Sequence, residues 1–193
     1  MRLAEWTDRK DIIDIIVSRF ENIPGTIWLV REKANKKKAI SCLASYVFLK
    51  SYNRAGAWIS DNNMGMALCY RYNKKSFSLR ELCCLVKFTL VYGSLGKIKD
   101  FIYRESYRNK QRPPDGNYLY WWFFGVKKGG GRAGFEISKE IIEYSEKVEL
   151  PVYLETTLEK NMKVYQRYGY KLYHYWEEPE KDIRFWFMKR ELT

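Results

Sequence analysis

NYLYWWFFGV (117–126), KKGGGRAG (127–134), FEISKEIIEYSEKVEL (135–150), PVYLETT (151–157) and LEKNMKVYQRYGY (158–170) follow one another without interruption. The first is a continuous aromatic and β-branched run from Tyr118 to Val126, the pattern of a strand covered on both faces. The second places Gly129, Gly130, Gly131 and Gly134 where the chain must turn, and glycine brings backbone close to a ligand with no Cβ in the way. Helical spacing begins at about Ala133, so the unpaired N–H groups and positive dipole end of that helix face the turn. A second strand and a second helix complete the unit. Strand, glycine turn and helix N-terminus together make a cradle for phosphate.

Two arrangements use such a cradle. Gly129, Gly131 and Gly134 spell G-x-G-x-x-G, and Glu155 lies 21 residues past Gly134, where a dinucleotide fold carries its ribose-binding acid. Only 38 residues follow Glu155, too few for the further crossover units of a doubly wound sheet. The second arrangement accounts for more of the chain. Lys128-Gly129-Gly130-Gly131-Arg132-Ala133 fits Q/R-x-x-G-x-G/A with Lys in the leading place, and Asn161 to Tyr170 match N-x-x-x-[YF]-x-x-x-G-[FY] at every specified position. With both motifs at this mutual distance, residues 118–177 resemble the core of the GNAT superfamily of N-acetyltransferases. Before residue 118 the resemblance is architectural.

The resemblance implies an α/β (α+β) fold with a mixed, mostly antiparallel central sheet flanked by helices. It also implies a splayed strand pair and a helical insertion, at about 77–115, before the CoA-binding strand, within a single domain over 1–193. Acetyl-CoA would be the cosubstrate, with no metal, and the acceptor a small-molecule or peptide amine that attacks directly in a ternary complex. Backbone of Phe124, Gly125 and Val126 would pair with the pantetheine arm. Lys128, Gly129, Gly130, Gly131, Arg132, Ala133 and Gly134 would hold the pyrophosphate, and Asn161 would contact the cofactor or orient a water. Tyr165 would protonate the departing thiolate, since a phenol of ordinary pKa, about 10, keeps its proton at neutral pH. The link from Val126 to the turn is shorter than the family's, and Lys127, Lys128 and Arg132 are expected to offset this by supplying cations to the polyphosphate. Glu155 and Asp61 are the candidates for the base.

Working outward, the first residues read as an edge strand, Met1 to Trp6, then Thr7 as N-cap of a helix facing the core through Ile12, Ile13, Ile16, Val17 and Phe20, which Pro24-Gly25 ends. Lys36-Lys37-Lys38 opens a second helix with Ile40, Leu43, Val47 and Phe48 on its apolar stripe, the lysines forming a solvated face. A hairpin turns at Asn62-Asn63-Met64-Gly65. Ser78 and Glu81 form a capping box for a helix from about Leu79 to Tyr92, and helical spacing returns through Ile98, Phe101 and Ile102 before the turn Pro113 to Gly116. This helical stretch would wall the acceptor site. Strands KLYHYWEE and IRFWFMKR close the chain around a turn at Pro179.

Composition bounds the partners. At 193 residues, 46% hydrophobic and 30% charged, the chain can bury a full core without disulfide or metal. No apolar run approaches the roughly 18 residues of a membrane span, and the N-terminus shows no signal-peptide pattern, so a cytoplasmic location is expected. Cys42, Cys69, Cys83 and Cys84 form no C-x-x-C pair and read as reduced, mostly buried thiols. His174, the only histidine, alternates with apolar strand neighbours, which leaves no His-dependent triad. A net charge of +12 favours an anionic partner. Besides CoA, nucleic acid is the alternative: Tyr103 and Tyr107 interleave with Arg104, Arg108, Lys110 and Arg112 in a spacing that suits single strands. No RNP, KH or zinc-finger signature accompanies it, so nucleic acid is not the expected partner. A fold kept to hold acyl-CoA without turnover, and a homodimer formed through the late strands, both stay open.

Overall fold

Period-two runs and glycine turns build one seven-stranded sheet. Its strands are β1 (Arg2–Leu3), β2 (Ala57–Ile59), β3 (Gly65–Arg71), β4 (Leu119–Val126), β5 (Val152–Thr156), β6 (Lys171–Glu178) and β7 (Ile183–Arg190), in the order β1-β2-β3-β4-β5-β7-β6. The computed structural model describes residues 1–94, 96, 98–178 and 183–192, and the turn expected around Pro179 lies outside them. Neighbouring strands are antiparallel except β4 and β5, which run parallel. Among the described residues seven α-helices flank the sheet: α1 (Arg9–Phe20), α2 (Pro24–Leu29), α3 (Lys36–Tyr52), α4 (Leu79–Lys87), α5 (Ile98–Lys110), α6 (Ala133–Lys147) and α7 (Glu159–Arg167). No helix among the described residues is long and apolar enough to cross a membrane.

The core lies on both faces of the sheet. On one, the Ile12, Ile16, Ile40, Val47 and Phe48 side chains of α1 and α3 pack on Ile59, Met66 and Leu68. On the other, Ile137 and Ile141 of α6 pack on Cys69, Leu119, Trp121 and Val152. Each side chain of this size contributes about 1.5–3 kcal/mol by leaving water. Of the four cysteines only Cys69 is fully buried, while Cys42 and Cys84 are half-buried and Cys83 is exposed.

One residue changes the course of β4. Leu68 faces Phe123 and Cys69 faces Trp121, so Trp122 has no counterpart on β3. An extra residue of this kind bends its strand and reverses the alternation of side chains. Accordingly, Trp121 packs on the α6 side, Trp122 and Phe123 both turn to the α1–α3 side, and Phe124 returns to the α6 side. β4 then leaves its parallel neighbour. Only Leu119↔Val152 and Tyr120↔Tyr153 pair, and beyond Tyr120 the two strands splay apart.

Several local expectations are corrected. Thr7 is not the cap, because Glu5 precedes a short 3-10 turn whose Asp8 carboxylate accepts the Glu5 N–H at 2.7 Å and binds Arg2 at 2.6 and 2.8 Å. Pro24 opens α2 instead of ending the earlier element, at a helix position that needs no N–H. Ser78 caps α4, accepting the Glu81 N–H at 3.3 Å, but Glu81 turns its carboxylate to Arg54 at 3.1 Å and Asn53 at 3.3 Å. After Lys87 the helix widens into a π-turn segment, Phe88–Tyr92.

Candidate active site

The glycine turn after β4 sits tight beneath and open above. The Lys127 N–H donates to Met64 O at 2.7 Å, the Gly130 N–H to Lys127 O at 2.9 Å, and the Ala133 N–H to Gly130 O at 3.1 Å. Those bonds fold the turn under the start of α6, whose 15 residues align their dipoles along it. The N–H groups of Gly131, Arg132 and Gly134 make no hydrogen bond among the described residues. A Cβ on Gly130 would stand 2.4 Å from Val126 Cγ1, so only glycine lets the turn lie this close to the strand. Gly131 has φ 55°, a left-handed conformation that a side chain strains, and the space beside it is open. Free donors at a helix start with open space before them suit an anion. Lys127 is not part of this set, since its ammonium pairs with Asp11 on α1 at 3.3 Å. Lys128 and Arg132 remain exposed at the turn.

Where β4 and β5 part, a cavity of about 130 Å³ opens, lined by Trp121, Phe124, Glu155, Thr157, Asn161 and Tyr165 among others. Asn161 and Tyr165 reach it together because residues four apart share one face of α7. Past that helix the Gly169 N–H donates to Gln166 O at 3.0 Å and the Tyr170 N–H to Tyr165 O at 3.1 Å, while the Tyr170 ring is buried. The second sequence motif therefore divides in two: its first half faces the cleft, and its second half ends the helix. The Tyr165 ring meets Trp121 and Tyr170, each with centroids 5.7 Å away, and burial pushes its phenol pKa well up. Trp121 Nε1 is buried without an acceptor.

A larger cavity of about 380 Å³ adjoins the cleft and shares Phe20, Trp122, Thr157 and Phe185 with it. Its far wall is the helical segment before β4, through Leu85, Phe88, Ile98 and Phe101. α5 and the turn after it are fastened there by arginines four residues apart. Arg104 pairs with Glu178 of β6 and lies 3.9 Å from the Trp28 ring centroid. Arg108 binds Glu105, Glu155 at 2.8 Å and the Tyr120 hydroxyl at 2.7 Å, and Arg112 binds Glu155 at 2.7 Å and Tyr120 at 3.0 Å. Tyr107 shares a 2.8 Å hydrogen bond with Nε2 of His174, giving that histidine a structural place on β6.

No family model matches this chain, and no curated protein matches it in sequence. Solved structures match it in shape. An acetyltransferase from Corynebacterium glutamicum, described with the histone acetyltransferase HPA2, superposes with TM-score 0.70 at 14% identity, over 100% of this chain and 95% of that one. The C-terminal condensation domain of Ebony gives 0.69 at 16% identity, over 100% and 96%. The polyamine N-acetyltransferase of Drosophila melanogaster gives 0.67 at 11% identity, over 99% and 98%. The chain has the GNAT fold. Identities this low speak for the fold alone.

Within this GNAT fold the expected residues gather in two places. Lys128 to Gly134 form the turn, and Phe124, Asn161 and Tyr165 line the cleft. Gly130 and Ala133 use their N–H groups inside the turn, and Ala133 is buried, so the N–H groups left without a partner among the described residues are those of their neighbours. Gly125 faces α1, where a Cβ would meet Ile15 Cγ2 at 3.0 Å. Neither candidate base is placed for that task. Glu155 is buried; that burial works to raise its pKa, but Arg112 and Arg108 overcome it and hold the carboxyl down at about 2. Asp61 is exposed at the hairpin tip, 3.2 Å from the Met1 amine, and lines neither cavity. The residues offered for nucleic acid, Arg104, Arg108 and Arg112, point inward to carboxylates. Trp122 and Lys50 of the larger cavity escaped the sequence reading.

Proposed function

We propose that this protein transfers an acetyl group from acetyl-CoA to an amine within a ternary complex. The observation that carries this reading is the splay of β4 from β5, with the α6 donors at one end and Asn161 and Tyr165 over the gap. Acetyl-CoA supplies, when bound, a thioester open to attack by an amine. The residues present fit it: a turn that only glycine can close, N–H groups without acceptors, and a strand edge without a ladder partner.

In this assignment the N–H groups of Gly131, Arg132 and Gly134 hold the pyrophosphate, with Lys128 and Arg132 adding charge. Phe124 to Val126 present main-chain groups to the pantetheine amides, and a backbone N–H of this edge polarises the carbonyl under attack. Tyr165 donates a hydrogen bond to the departing sulfur. Its raised pKa makes it a secure donor, since the proton stays on the phenol throughout the neutral range. No cysteine lines either cavity among the described residues, in keeping with direct transfer to the amine. The comparison proteins lend general support, as one is a polyamine N-acetyltransferase and another was solved with beta-alanyl-dopamine. The whole chain, with α4 and α5 walling the acceptor cavity, would act as one unit.

The test is release of free thiol on mixing protein, acetyl-CoA and a panel of amines, with mass spectrometry of the products. Acetylated amine and stoichiometric thiol are expected. Tight CoA binding with no thiol released from any amine would leave a binding module and overturn the transferase reading.

A further inference from the structure

The larger cavity is lined by the cations Lys50, Arg104 and Arg108 against one carboxylate, Glu105. Lys50, on α3, lines it with its ammonium 4.9 Å from the Trp122 ring centroid and 5.8 Å from that of Tyr46. It makes no ion pair among the described residues. The carboxylates whose charge reaches it are both engaged, Glu81 by Arg54 at 3.1 Å and Glu105 by Arg108. Arg104 and Arg108, which also line the cavity, each keep a buried Nε without an acceptor. Buried donors are normally satisfied, and an aromatic face replaces an anion poorly. Burial, then the Arg54 guanidinium, holds the Lys50 pKa below that of an ordinary lysine, the direction of a cation lacking its counter-charge.

Resting on the transferase reading, we propose that the acceptor is an amine that carries a carboxylate on an apolar body, with the carboxylate seated on Lys50 and the amine at the Tyr165 cleft. Trp122 fixes the layout, because it lines both cavities and lies beneath the Lys50 ammonium. The apolar body would lie along this indole and against Phe20, Phe123 and Phe185. A diamine would set its second ammonium against Lys50, Arg104 and Arg108, so polyamines fit this cavity poorly.

The experiment compares kcat/KM for amines with matched bodies: 6-aminohexanoate, hexylamine and hexanediamine, and 4-(2-aminoethyl)benzoate with phenethylamine. The acid-bearing member of each set should be favoured about ten-fold, chiefly through KM. Lys50→Gln should erase the preference and Lys50→Arg should keep it, with thermal melts confirming that both variants fold. Arginine holds an anion but does not release a proton at neutral pH, so this rescue separates anion recognition from a role as base. Preference for the neutral amine or the diamine, or an equal loss on all amines in Lys50→Gln, overturns the proposal. Calorimetric titration of the same amines in the presence of CoA separates the two readings. Acid-selective binding that Lys50→Gln abolishes upholds the carboxylate seat even if no thiol is released, in which case only the transferase reading falls. Turnover of neutral amines without acid-selective binding leaves the transferase standing and removes the seat, and failure of both assays removes both.

Discussion

Tyr165 and Gly130 show how one side chain, or its absence, sets the chemistry of the cleft. Tyr165→Phe keeps the ring contacts with Trp121 and Tyr170 and deletes only the hydroxyl. We expect kcat to fall about a hundredfold while the dissociation constant for CoA stays within twofold, as measured by steady-state kinetics and CoA titration. An equal loss in CoA affinity would instead make Tyr165 part of the cofactor wall. At the turn, Gly130→Ala forces a methyl to within 2.4 Å of Val126 Cγ1, so β4 and the turn must shift, at a cost of about 1–3 kcal/mol. Gly131→Ala meets open space and only the strain of φ 55°, about 1 kcal/mol. Urea denaturation should rank them in that order, and the reverse ranking would show that the turn is looser than its hydrogen bonds imply.

At the level of elements, the contact that matters is α5 on β5. Glu155 takes Arg112 at 2.7 Å, Arg108 at 2.8 Å and the Tyr120 hydroxyl at 2.8 Å, all in the interior. Removing one partner of a buried ion pair leaves the others uncompensated, so Glu155→Gln should lower stability by about 3–5 kcal/mol. Added salt should change this difference little, since buried pairs are weakly screened. A loss below half a kcal/mol in urea melts would mean that α5 is held by its apolar contacts alone. The same burial redirects the basic stretch: Arg104→Ala or Arg108→Ala should unfold the α5 wall and leave any salt-dependent affinity for single-stranded nucleic acid where it was. The elements themselves were largely readable. Glycine turns and apolar spacing gave the strands and helices from 117 to 170, whereas the outward turn of Glu81 depends on Arg54, which is distant in sequence.

For the whole molecule, the buried carboxylates set the response to acid. Glu155 is held at about 2 against an ordinary 4.5, and Asp8 is lowered chiefly by its hydrogen bond to Arg2. A carboxyl depressed in the folded state contributes its full stabilisation above its unfolded pKa and loses it as pH falls through the folded one. Stability should therefore decline from about pH 4.5 toward pH 2, and the curve for Glu155→Gln should be flatter across that window when followed by urea melts at fixed pH. Parallel curves would show that Glu155 is not the group being titrated. The net charge of +12 pointed to an anion without saying which. The fold takes Arg104, Arg108 and Arg112 inward, so the positive surface is carried largely by other residues, Lys128 and Arg132 at the glycine turn among them. Sequence by itself determined the strand, glycine turn, helix and strand, because glycine and apolar spacing act over a few residues. It also brought Asn161 and Tyr165 to one helix face, four residues apart. Only the tertiary structure decided that β4 parts from β5 after Tyr120, that Glu155 is locked, and that Lys50 faces the larger cavity without an ion-pair partner among the described residues. Each of these depends on packing between residues far apart in the chain: Trp122 bulging against β3, α5 turning its arginines toward β5, and α3 meeting the same indole.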